Sequence, residues 1–166
     1  MNYKGRVWKF GDNIPTDRIV RTDLIFKPWP EILKHVLETC NPEFPANVKP
    51  GDIVVTGKHF GQSSGRAIAA KAMKNTKISC IIAEGFARTF YRNGFEIGMP
   101  ILECPGITAQ VSEGDILSVD IESGKIVNET TGAKLQASPT PPFLLDMLKA
   151  GGLIAMAERL AGEAKH

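Results

Sequence analysis

Between Asp52 and Ala83 the chain passes from a β-branched apolar run through a glycine-rich turn and an alanine-rich segment to a second apolar run, and few folds accept that order. Ile53-Val-Val-Thr56 has the composition of a strand buried on both faces. Gly57-Lys-His-Phe-Gly-Gln-Ser-Ser-Gly65 breaks the pattern. From Arg66 to Lys74 alanine dominates, a strong helix former whose small side chain permits close approach to a sheet. Ile78 to Ala83 then reads as the next buried strand. Strand, helix and strand in this spacing imply a right-handed parallel crossover, hence an α/β layer.

The flanking segments extend that layer. Tyr3 to Phe10 reads as a strand ended by the turn Gly11-Asp12-Asn13, and Ile14 to Trp29 as irregular. Pro30 suits a first helical position, and Ile32, Leu33, Val36 and Leu37 recur at helical spacing, predicting a helix up to Cys40. Phe86 to Asn93 predicts a helix stopped by Gly94, and Met99 to Leu102 a strand. Ile116 to Ile121, Lys125 to Asn128 and Lys134 to Ala137 form a meander of short strands. Thr140-Pro141-Pro142 opens a helix closed by Gly151-Gly152, and a last amphipathic segment runs from Leu153 to about Ala161. One domain over residues 1–166 is expected, since 43% apolar content supplies a core without disulfides or metals.

Composition narrows the function. The formal charge is +2, with 20 basic and 18 acidic residues interleaved, so there is no basic stripe of the kind nucleic-acid binding uses. No apolar run nears the roughly 18 residues of a membrane span, and the N-terminus lacks the pattern of a signal peptide, which leads to the expectation of a cytoplasmic protein. Cys40, Cys80 and Cys104 stand at wide spacings without a C-x-x-C pair, so structural thiols are expected rather than a metal site in this chain.

The segment Gly57 to Arg66 carries the chemistry. A glycine-rich turn feeding a helix N-terminus leaves backbone N–H groups free at a positive dipole end, where anions bind. Ser63 and Ser64 add hydroxyls, and Arg66 adds a guanidinium that matches a carboxylate with two parallel hydrogen bonds. On the residues alone, plain helix capping by the serines competes with this reading. The turn lacks the Gly-Lys-Ser/Thr ending of a P-loop, which favours a carboxylate over a nucleotide phosphate.

Four segments in register resemble one family. Gly57-Lys-His-Phe-Gly-Gln-Ser-Ser-Gly-Arg66 is similar to the G-x-N-F-G-x-G-S-S-R-E turn of aconitase swivel domains, in particular of the separate small subunits of 3-isopropylmalate dehydratase and homoaconitase. Lys9 to Ile19 resembles the family's opening G-D-x-I-x-T-D-x-I, Asn47 to Asp52 its lead into the central strand, and Ala83 to Asn93 its A-E-S-F-x-R-I-F-Y-R-N. The resemblance implies a swivelling β/β/α domain with a mixed sheet flanked by helices. It also implies a hydro-lyase acting on a hydroxy di- or tricarboxylic acid, with no cofactor in this chain and a [4Fe-4S] cluster on a partner large subunit. Isopropylmalate chemistry in leucine biosynthesis leads; homoaconitase, a dimethylmalate-type dehydratase and a catalytically degenerate carboxylate-binding module are the alternatives. Alone, such a chain is expected to self-associate through the surface meant for its partner.

Carried over without gaps, the resemblance places Ser64 on the catalytic base, Arg66 on the carboxylate clamp and Asp17 on an acidic position near the active site. Ser63 then stands where the family has glycine, Gly65 where it has the second serine, and Ala67 where glutamate is common. A shift of one residue presents Ser63 instead of Ser64. Gly65 is assigned to the substrate-binding turn for the approach its backbone allows. In this family the loop after T-D-x-I selects the substrate, so in Val20 to Phe26 Arg21 becomes a candidate contact for a distal carboxylate, and Leu24 or Ile25 for an alkyl group. His59, Arg88 and Arg92-Asn93 are expected to serve structural or interface roles.

Overall fold

The computed structural model describes residues 1–165. Its frame is a seven-stranded sheet built on β1 (Asn2–Lys9), which changes partner halfway along. Asn2 to Arg6 pair antiparallel with β5 (Ile116–Asp120), while Val7 to Lys9 pair parallel with β2 (Ile53–Thr56). Beyond β2 lie β3 (Cys80–Ala83) and β4 (Ile101–Glu103), both parallel. Beyond β5 the meander continues antiparallel through β6 (Lys125–Asn128) and β7 (Lys134–Gln136). The order β4-β3-β2-β1-β5-β6-β7 is the mixed sheet expected of the family.

The stretch Ile14 to Trp29, expected to be irregular, holds a four-residue helix and a 3-10 turn, and several predicted element ends move by about two residues; two larger shifts have a tertiary reason. The helix expected up to Cys40 stops early: α2 spans Trp29–Leu33, after α1 (Thr16–Ile19) and a single 3-10 turn at Thr22–Leu24. From Lys34 on, the backbone bonds turn by turn to the third residue back, and Leu37 takes a positive φ of 55° while donating its N–H to the Ile19 carbonyl at 3.1 Å. Val36 and Leu37 are fully buried, so the helical spacing there reports burial and not a helix. The other shift is at Gly94, which lies inside a helix instead of ending it. That helix reaches from Arg88 to Glu96 (α5, following α3 at Glu43–Asn47 and α4 at Ile68–Asn75), and a Cβ at Gly94 would sit 2.7 Å from Ile101 Cδ1. Glycine is used there for close packing on β4.

The remaining helices are α6 (Ile107–Gln110), α7 (Pro142–Ala150) and α8 (Leu153–Glu163). Cys80 and Cys104 are packed in the core, and burial pushes the Cys80 thiol up to about 12. Among the described residues no helix is long and apolar enough to cross a membrane.

Glu84 secures the end of β3. Its carboxylate accepts the backbone N–H of Gly106 at 2.6 Å and of Thr108 at 2.9 Å, and the Thr108 hydroxyl at 2.7 Å. Burial pushes its pKa up, but these donors and the nearby Lys58 outweigh burial and hold it below the ordinary 4.5. A depressed folded value means that the stabilisation is present above the ordinary pKa and is lost as pH falls through the depressed one. Glu84→Gln is expected to cost roughly 1–2 kcal/mol at about pH 7, allowing for solvent screening, and much less at about pH 3. Urea unfolding at the two pH values checks this; equal losses would contradict it.

Candidate functional site

Three loops leave the carboxyl ends of the parallel strands β1, β2 and β3, the edge at which open α/β sheets bind ligands. They are residues 10–15, 57–67 and 84–87, and backbone hydrogen bonds join them. In the first pair Asn13 N–H donates to the Lys58 carbonyl at 2.7 Å, Gly61 N–H to Ile14 at 2.8 Å, and Thr16 N–H to Gln62 at 2.9 Å. Towards the third loop, Phe60 N–H donates to Gly85 at 3.1 Å and Ala87 N–H to Phe60 at 2.9 Å. Three of the four sequence segments that carried the family resemblance thus meet at one place.

An aromatic anchor holds the turn to the core. Phe60 is fully buried with its ring edge-on to Phe86 and Phe90. Gly61 makes this possible: its φ is +82°, and any Cβ would stand 2.4 Å from the Phe90 ring.

Past Gly61 the turn opens into a cleft of about 190 Å³ lined by Thr16, Asp17, Val20, Thr22, Ile25, Ser63, Ser64, Arg66 and Ile68. One wall is polar, with hydroxyls, the Asp17 carboxylate and the Arg66 guanidinium; Val20, Ile25 and Ile68 form an apolar wall. Neither Asp17 nor Arg66 is within salt-bridge distance of an opposite charge among the described residues. The first turn of α4 receives no side-chain cap, so the serines do not spend their hydroxyls on capping it. Ser64 Oγ instead accepts the backbone N–H of Arg66 at 3.2 Å.

Of the residues singled out from sequence, Asp17, Ser63, Ser64 and Arg66 line the cleft together. Gly65 sits behind it: its carbonyl accepts the Asn93 side-chain amide at 3.2 Å, and a Cβ there would stand 3.2 Å from Thr89 Cγ2. Arg21 does not join the lining residues, because its guanidinium is bound to Asp23 and Glu38. Leu24 is buried, Ile25 faces the cleft, His59 is exposed, and Arg88 and Arg92 border a separate groove with Tyr91 and Glu103. Thr16, Val20, Thr22 and Ile68 were not singled out from sequence. Reading Thr16 to Ile19 as a helical turn would have put Thr16 and Val20 on one face, since residues four apart share one.

The backbone also separates the two serines. Ser63 has φ +81°, a conformation that favours glycine, and it is the position at which the family carries glycine. A positive φ at Ser63 is the conformation that a glycine at this position would adopt freely.

A mixed sheet with a hydroxyl, guanidinium and carboxylate cleft at the ends of its parallel strands is the arrangement of an aconitase-type swivel domain, and the family model for the aconitase C-terminal domain matches residues 31–105. A small subunit named isopropylmalate/citramalate isomerase, from Methanocaldococcus jannaschii, is 45% identical over 98% of this chain and 97% of its own length. The 3-isopropylmalate dehydratase small subunit of Thermodesulfovibrio yellowstonii is 44% identical over 96% of this chain and 95% of its own. The crystal structure of a 3-isopropylmalate dehydratase from Methanocaldococcus jannaschii superimposes with a TM-score of 0.91 at 32% identity, covering all of both chains. The chain belongs to the family of 3-isopropylmalate dehydratase small subunits.

Proposed function

We propose that this chain is the substrate-gripping, proton-transferring half of a cytoplasmic hydro-lyase that dehydrates and rehydrates isopropylmalate, a step of leucine biosynthesis, with a large subunit carrying a [4Fe-4S] cluster. The observation that carries the reading is the two-sided cleft: Ser64 and a guanidinium without a salt-bridge partner among the described residues line it together with an apolar wall of the kind a branched alkyl group needs. Its volume, about 190 Å³, is below the ~300–1,000 Å³ of a self-sufficient ligand pocket, as suits a site completed by a second surface. No thiol lines it, and a guanidinium is a poor neighbour for a metal cation, so these residues fit the organic acid and leave the cluster to the partner. When bound, the cluster supplies Lewis-acid assistance to departure of the substrate hydroxyl.

Within this chain, Arg66 grips a substrate carboxylate with two parallel hydrogen bonds and so fixes the adjacent carbon over Ser64. Ser64 Oγ, as the alkoxide, takes the proton from that carbon and becomes a hydroxyl as a double bond forms, the carbon–oxygen bond breaks and the substrate hydroxyl departs as hydroxide. A serine hydroxyl is too weak an acid to exist as alkoxide unaided. The Arg66 N–H aimed at Ser64 Oγ and the positive charge of the same residue supply that help. Asp17 is the one carboxylate among the lining residues and accepts a hydrogen bond from the substrate hydroxyl. Arg66 is the one guanidinium there, which favours a diacid with an alkyl arm over a tricarboxylic acid.

Mixing the chain with its large subunit and following the unsaturated diacid by absorbance tests the reading. Turnover of isopropylmalate is expected from the pair and none from this chain alone; a pair inert on every hydroxy diacid would leave a carboxylate-binding module. Phe26 offers a separate check on the partner. It is 95% exposed and follows Ile25 at the cleft, the place where an aromatic anchors an interface. Phe26→Ser is expected to weaken assembly roughly 10- to 100-fold by sedimentation while leaving the thermal unfolding of the free chain in place.

A further inference from the structure

The turn that carries Ser64 and Arg66 rests on α5 at two points. At its start Gly61 lies against the ring of Phe90. At its end Gly65 meets Thr89, whose Cγ2 would stand 3.2 Å from a Cβ at that position, and the Gly65 carbonyl accepts the side-chain amide of Asn93 at 3.2 Å. Thr89 and Asn93 are four apart on the same helix and so share a face. The Gly65 carbonyl and the Arg66 N–H are opposite ends of one peptide unit, which is trans and planar, so fixing the direction of one fixes the direction of the other. Asn93 Nδ2 holds the carbonyl end; the N–H end donates to Ser64 Oγ at 3.2 Å.

We infer that Asn93 is a positioning residue for proton transfer: by holding the Gly65 carbonyl it turns the shared peptide so that the Arg66 N–H aims at Ser64 Oγ. The inference rests on the functional reading above and deepens it. Rotation of that peptide runs through the torsions of Gly65, which are the least restricted of any residue type, so the turn needs an outside anchor to keep the N–H in place. A hydrogen bond accepted at the carbonyl also polarises the peptide and strengthens its N–H as a donor. An alkoxide gains more from that donor than a hydroxyl does, so the anchor raises the share of Ser64 in its basic form. The carboxylate grip is a separate matter of the Arg66 side chain, and the cost of losing Asn93 therefore falls on kcat.

The test uses the reconstituted two-subunit enzyme with Asn93→Ala and Asn93→Asp, each alone and combined with Ser64→Ala, and reads kcat and KM for isopropylmalate well below each variant's unfolding midpoint. Asn93→Asp keeps the shape of the side chain but sets a carboxylate, which cannot donate, against the Gly65 carbonyl. Asn93→Ala is expected to lower kcat about 3- to 10-fold and Asn93→Asp about 10- to 100-fold, both with KM within about 3-fold of the parent. In the Ser64→Ala background either change is expected to add less than about 2-fold, because the N–H then has no oxygen to serve. An Asn93→Asp enzyme as fast as the parent would overturn the inference, since shape alone would then suffice. So would a loss carried by KM with kcat unchanged, and so would losses that add in full to that of Ser64→Ala. The single Ser64→Ala enzyme keeps the two claims apart: if it is active the functional reading fails, whereas if it is inactive and both Asn93 variants match the parent only this inference fails.

Discussion

Ser64→Ala is expected to lower kcat of the reconstituted enzyme by roughly 10²- to 10⁴-fold, the usual worth of a general base, with substrate binding changed by less than about 3-fold. On the proposed roles the binding is spared, because the carboxylate grip is assigned to Arg66 and the alkyl contacts to the lining residues Val20, Ile25 and Ile68. Ser63→Ala is the matched control. Its hydroxyl lines the same cleft, but its backbone sits at φ +81° in the place of the family's glycine, so little loss of kcat is expected. Ser63→Gly removes a side chain from a conformation that disfavours one and is expected to stabilise the turn by roughly 1 kcal/mol. A large loss in Ser63→Ala with none in Ser64→Ala would reverse the assignment.

Arg66→Lys is expected to raise KM for isopropylmalate roughly 10- to 100-fold and to lower kcat as well, with the fold intact. Lysine keeps the charge but offers a point donor in place of a planar fork, so the carboxylate loses one of two parallel hydrogen bonds and the register they impose. The lower kcat is expected because, on the proposed roles, the same residue both aligns the acidic carbon and supplies positive charge to the site of Ser64. The backbone N–H of Arg66 survives the substitution, and so does the 3.2 Å hydrogen bond it makes to Ser64. Arg66→Ala, lacking the charge too, is expected to be worse than Arg66→Lys. Steady-state kinetics on the reconstituted pair separates the two effects, and unchanged KM and kcat in Arg66→Lys would exclude the clamp.

The unit from β2 through α4 to β3 was legible in the sequence because every local preference there agrees with the packing: β-branched residues where both faces are buried, alanine where a helix meets a sheet. Where local pattern and long-range packing part, the sequence misleads. Ile32, Leu33, Val36 and Leu37 have helical spacing, but Leu37 gives its N–H to Ile19, and the helix ends at Leu33. Gly94 looks like a stop signal, yet it lies inside α5, where the lack of a side chain leaves room for Ile101.

The cleft follows the same division. Asp17, Ser63, Ser64 and Arg66 could be named in advance because short motifs carry them and their loops leave neighbouring parallel strands. Arg21 could not be placed, since its partner Glu38 lies 17 residues away in a segment whose conformation depends on a bond back to Ile19. Nor does sequence reveal that Ser63 has a positive φ, the fact that separates two adjacent serines.

The central claim, that Ser64 moves the proton while Arg66 holds the acid, is tested most directly by incorporation of solvent deuterium at the carbon beside the substrate carboxylate. The reconstituted enzyme is incubated with isopropylmalate in deuterium oxide and the recovered diacid is analysed by mass. The parent and Ser63→Ala are predicted to label that carbon, and Ser64→Ala to bind the acid normally without labelling it. Labelling by Ser64→Ala at the parental rate would contradict the account.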